Sequence, residues 1–112
     1  MSKVGHLFFD DAGDLAGGIR TLNFKQQFAL RENQEEKPAD VDPEKWHDWD
    51  IVARSSDGEL IEIGRAFKRT KTTAEGVQKR INLFFEDPDF PDWAQNMAAF
   101  PNAEGTEYRV VT

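Results

Sequence analysis

The stretch Glu62-Ile63-Gly64-Arg65-Ala66-Phe67-Lys68-Arg69-Thr70, followed after a short link by Ile81-Asn82-Leu83-Phe84-Phe85-Glu86-Asp87-Pro88-Asp89-Phe90-Pro91, decides how this chain is read. Between Leu60 and Lys68 the residues Ile61, Ile63 and Phe67 fall on one parity, and between Val77 and Phe85 so do Val77, Ile81, Leu83 and Phe85. Successive side chains of a strand point to opposite faces, so this period of two predicts two strands, each with one apolar face. The link from Thr70 to Gly76 joins them as a hairpin, and Arg65, Lys68, Arg69, Lys71, Lys79 and Arg80 make it basic. Asp87-Pro88 predicts a turn that ends the second strand.

Similar patterns extend outward. Val4 to Phe9 and a segment opening at Gly17-Gly18 read as strands joined by Asp10-Asp11-Ala12-Gly13-Asp14. The alternation Leu22, Phe24, Gln26, Phe28, Leu30 predicts one long strand bent near Gln26. Residues 33–48 are polar, carry Pro38 and Pro43, and predict a loop. Within it Asp42-Pro43-Glu44-Lys45-Trp46 predicts one or two helical turns, with Asp42 as N-cap and Pro43 at the first helical position, where its missing N–H costs nothing. Trp49 to Arg54 reads as a strand, Ser55 to Glu59 as a turn, and Thr106 to Val111 as the last strand, with Tyr108 and Val110 pointing together. Residues 91–99 fit a short helix begun by Pro91 or an irregular edge segment. The expected fold is mainly β: one domain over 1–112, an antiparallel sandwich or partly open barrel of about seven strands with one or two short helical turns. Its expected core is Leu22, Phe24, Phe28, Ile51, Ile61, Ile63, Phe67, Ile81, Leu83 and Phe85.

The 112 residues suffice for one modest core, and 9 Phe and 3 Trp make that core aromatic and argue against disorder. With 0 Cys there is no disulfide framework and no thiolate chemistry. No apolar run approaches the length of a membrane span, so a cytoplasmic protein with no membrane partner is expected. The net charge of -7 is segmented. Residues 35–50 hold seven acids against two lysines, 86–107 hold six acids and no base, and 65–80 hold six bases against Glu75 alone.

Chemistry-bearing motifs are few. Asp10 to Asp14 lacks the ligand spacing and distal Glu of a calcium loop, so it reads as a hairpin turn. His47 has Asp48 and Asp50 beside it but no second His at ligand spacing, so no metal site is assigned. Ser55-Ser56 sit in a polar turn without the surroundings of a nucleophile. Glu86 and Asp87 read as strand termination. No catalytic residue and no cofactor site are assigned, and the chain is expected not to be an enzyme.

Two binding surfaces are expected instead. The first is the basic hairpin, where cations around aromatic rings on a sheet suit single-stranded nucleic acid through stacking and phosphate neutralisation. Against this stands Phe67, which shares its parity with Ile61 and Ile63 and is assigned to the core. The second is acidic, formed by Glu35, Glu36, Asp40 and Asp42 with Asp87, Asp89 and Asp92, whose carboxylates would imitate a phosphate backbone toward a basic protein. Because a net -7 repels phosphates everywhere except at one ridge, the preferred reading is a non-enzymatic interaction protein with a protein partner, and nucleic acid is the alternative.

Gly5, Gly18-Ile19-Arg20-Thr21-Leu22, Glu62-Ile63-Gly64, Phe67-Lys68-Arg69-Thr70 and Glu86-Asp87-Pro88-Asp89-Phe90-Pro91 together resemble the bacterial domain of unknown function 736 family. The family pattern has Trp where this chain has Phe67, a second Asp where it has Glu86, and a less acidic middle loop. The resemblance implies a small cytoplasmic protein of proteobacterial type, often carried on plasmids and integrative conjugative elements, and it brings no catalytic residues because the family has none assigned. In that setting the expected partner is a protein of nucleic-acid metabolism or host defence.

Overall fold

The computed structural model describes residues 3–112, and within them eight strands succeed one another. They are Lys3–Phe9 (β1), Leu15–Arg20 (β2), Lys25–Glu32 (β3), Trp49–Arg54 (β4), Leu60–Thr73 (β5), Gly76–Phe85 (β6), Asn96–Pro101 (β7) and Glu107–Val111 (β8). Each pairs antiparallel with the next, and β8 pairs back onto β1, so the sheet closes into a barrel without free edges along its wall. Single 3-10 turns occupy Pro43–Lys45 and Asp92–Ala94. Of the two readings of 91–99 neither is complete: the segment holds a short turn and then β7, which is the eighth strand that the sequence left unresolved.

Because the strands run alternately up and down, their connections alternate between two ends. The 33–48 loop and the β5–β6 turn lie at one end, which we call the upper. The β2–β3 turn, the 55–59 turn and the 86–95 segment lie at the lower end.

Leu7, Leu15, Ile19, Leu30, Ile51, Leu83 and Val110 fill the barrel and are almost wholly buried. One rung reads Phe9, Leu15, Leu30, Ile51, Gly64, Phe85 around six consecutive strands. At the lower end an aromatic column closes the core: Phe85 lies edge-on to Phe28 at 5.1 Å and stacks on Phe90 at 4.3 Å, and Phe90 meets Phe24 at 5.3 Å. Of the ten expected core residues, Phe28, Ile51, Ile63, Ile81, Leu83 and Phe85 are buried, and Phe24 is half-buried against them.

Three expectations are corrected. The long strand from Leu22 does not exist: Thr21 N–H donates to the Phe24 carbonyl, and Leu22 is 96% exposed at the tip of the β2–β3 turn. Its place in the alternation is a coincidence of parity, since the turn inserts residues that count toward the period but not toward the strand. Ile61 lies opposite the buried Ala53, but at the lower rim, and is 40% exposed. Phe67 is not in the core. Between Ile51 and Val52 the β4–β5 register slips, with Gly64 opposite the former and Glu62 opposite the latter, so Ile63 is an extra residue. A bulge of this kind reverses which parity faces inward. Above it Gly64, Ala66 and Lys68 share a face with Phe85, Leu83 and Ile81, and Phe67 is outside.

Candidate functional site

The β5–β6 ladder outruns its neighbours. β4 pairs β5 no further than Ala66, with Asp48 adding one bond to each of Ala66 and Lys68, and β7 pairs β6 no further than Ile81. Arg69–Thr73 and Arg80–Gly76 therefore pair only with each other and project from the upper end as a two-stranded ribbon. At about 3.4 Å per residue it extends roughly 17 Å. Gly76 at φ 127° turns the tip, where an L side chain is strained. From Thr70 to Arg80 every residue is exposed.

Antiparallel partners share a face, which sorts the six candidate cations. The outer face carries Arg65 opposite Phe84, Phe67 opposite Asn82, Arg69 opposite Arg80, and Lys71 opposite Gln78. Lys68 and Lys79 lie on the other face, which overlooks the barrel mouth. There they border a hollow of about 450 Å³ with Phe9, Trp49 and Tyr108, and with Glu32 and Asp48 across from them. The Arg69 guanidinium sits over the Phe67 ring, 5.0 Å from its centroid. Phe84 is 44% exposed one diagonal step away. Stacked cation and ring make a flat pad on which a planar group can lie.

Charge around this pad is uneven. Arg65 is compensated, with Glu86 3.8 Å away and Asp50 opposite on β4. Across the ribbon ladder Arg69 stands opposite Arg80, Lys71 opposite Gln78 and Lys79 opposite Thr70.

The acidic candidates do not form one surface. Glu35, Glu36, Asp40 and Asp42 are exposed in the upper 33–48 loop. Asp87, Asp89 and Asp92 belong to the lower 86–95 segment, where the half-buried Asp87 accepts the Asp89 N–H and so fixes the turn after β6. Beside Asp89 lies an apolar patch of Leu22, Phe24, Pro91 and the 43% exposed Trp93.

His47 Nε2 lies 2.6 Å from Asp50 Oδ1, but Asp48 points away to the Lys68 N–H. His6 pairs with Glu107 on the outer wall. Among the described residues no three potential metal ligands cluster. Ser55 donates to Asp57 within its turn, and that bond, with the Glu59 N–H, holds the Asp57 carboxyl below the usual carboxylate range. Among the described residues no helix is long and apolar enough to cross a membrane.

Sequence reasoning missed a further set of cations, Lys3, Arg20, Lys25 and Arg54. They are isolated in the chain, so no charge run announces them. The strand ends gather them at the lower end of the outer wall.

A family model described as "Protein of unknown function (DUF736)" matches residues 3–112. No curated protein and no solved structure matches the chain.

Proposed function

The chain belongs to the DUF736 family, and from its geometry we propose that it is a binding protein whose working surface is the β5–β6 ribbon and whose ligand is single-stranded nucleic acid. The observation that carries this reading is the outward placement of Phe67 under the Arg69 guanidinium, with Phe84, Lys71 and Arg80 on the same face. Unpaired bases stack on aromatic rings and on guanidinium planes, while the backbone phosphates meet the surrounding cations. A duplex hides its base faces and would leave the rings unused. The ribbon also holds its cations away from the acidic barrel of a chain whose net charge is -7.

The test is retention of a 20-nucleotide oligothymidylate by Arg69→Gln/Lys71→Gln/Arg80→Gln. Removing three phosphate contacts is expected to weaken binding at least tenfold at 0.15 M salt, since each contact releases condensed counterion. Unchanged retention would refute the proposal.

A second reading, in which the partner is a basic protein, is favoured by the exposed Leu22 and Trp93 beside Asp89. Exposed apolar groups with a polar surround are typical of protein interfaces. The same triple variant separates the two, because it would leave a lower-end protein complex intact.

A further inference from the structure

The outer wall of β1 to β4 bears a groove of about 1130 Å³. Its floor is shallow because Ala16, Gly18 and Ala29 stand where larger side chains would fill it, with Val52 continuing the row on β4. The glycines here also set the curvature. A Cβ on Gly18 would lie 2.5 Å from the Gln26 carbonyl oxygen, and one on Gly17 would collide with the His6 carbonyl. Strands that approach this closely coil sharply, and glycine is what permits it.

The charged side chains lining this groove are Lys3, Arg20, Lys25 and Arg54; among the described residues no carboxylate lines it. In a chain with 21 acids and 14 bases, four cations without an acid is a segregated surface. Arg20 and Lys25 are direct cross-strand partners, a like-charge pair that costs stability in the isolated protein. Arg54 donates to the Gly58 carbonyl, and among the described residues no ion pair of it is seen. Gln27, opposite Gly18, adds an amide that can donate to an anionic oxygen.

We propose that this groove is a second phosphate-binding surface, which holds the backbone of the same single strand that the ribbon grips by its bases. The inference rests on the nucleic-acid reading above. The two surfaces differ in chemistry: the ribbon has rings and cations, whereas the groove has cations over a flat floor of small residues. The ribbon therefore takes bases and backbone, and the groove takes backbone alone. The four groove cations lie at the lower end of β1 to β4 and the ribbon at the upper end of β5 and β6, so a strand that reaches both runs along the barrel and around its wall past β4.

The experiment compares wild type, Lys3→Gln/Arg20→Gln/Lys25→Gln, and the ribbon variant Arg69→Gln/Lys71→Gln/Arg80→Gln for binding to the 20-nucleotide oligothymidylate over a salt series. Arg54 is kept because it holds the 55–59 turn. The groove variant is expected to bind at least fivefold more weakly at 0.15 M salt, with its log-log salt slope shallower by about 2, near 0.7 for each lost contact. Its Tm should be unchanged or higher, because a like-charge pair has been removed. If affinity and slope equal those of wild type while the ribbon variant is impaired, the groove proposal is wrong and the ribbon reading stands. If the groove variant alone is impaired, the ribbon reading fails and the groove is the phosphate site. If wild type binds no strand, both are wrong.

Discussion

Phe85→Ala is expected to cost about 3 to 5 kcal/mol, most of the stability of a domain this small. Phe85 is 2% exposed, stacks on Phe90, meets Phe28 edge-on, and lies on the rung that includes Leu15, Leu30 and Ile51. Truncation removes the ring that joins the barrel interior to the aromatic column at its lower end. The cavity cannot collapse easily, because a closed barrel wall resists inward movement of its strands. Urea unfolding should show a lower midpoint with an unchanged slope. A loss below about 1 kcal/mol would mean that the column is not packed as described.

The second large effect is expected from Gly64→Ala. A Cβ at this position would collide with the Phe84 carbonyl oxygen and lie 3.0 Å from Phe85 Cα, so backbone and not a flexible side chain must yield. Gly64 follows the bulge at Ile63 and pairs with Phe85 in the same β5–β6 ladder that continues upward into the ribbon. The substitution should destabilise the protein by roughly 3 kcal/mol, the upper range for overpacking. It should also weaken oligonucleotide binding, because the ladder that aims Phe67 and Arg69 is displaced. Wild-type stability in Gly64→Ala would contradict the close strand approach.

The contrast between these residues and Leu22 shows what was legible in the sequence. Ile81, Leu83 and Phe85 sit in an uninterrupted strand, where parity alone gives the buried face, and Trp49–Arg54 with its Asp57-Gly58 turn is equally plain. Leu22 misleads because Thr21 to Phe24 turns without glycine or proline, and Asn23 is its one turn-favouring residue. Phe67 misleads because one extra residue at Ile63 inverts the phase, and a bulge has no composition of its own apart from the adjacent Gly64. That inversion moves the residue from core to pad, so the aromatic half of the candidate site was present in the sequence with its direction reversed. The groove was only partly open to local reading. Arg20 and Lys25 flank the 21–24 turn, but Lys3 and Arg54 join them only through the successive pairing of β1 to β4. The acidic candidates differ in the opposite sense: two conspicuous charge runs are placed at opposite ends by the alternation of strand direction.

The ribbon as a single-strand grip is tested most directly by equilibrium titration of the wild-type protein with labelled 20-nucleotide oligothymidylate, and with a duplex of equal length, across 0.05 to 0.3 M salt. The expected result is preference for the single strand and a log-log slope of about -3.5 to -5, corresponding to roughly five to seven neutralised phosphates. Equal or tighter binding of the duplex, or no measurable binding of the single strand even at 0.05 M salt, would contradict it.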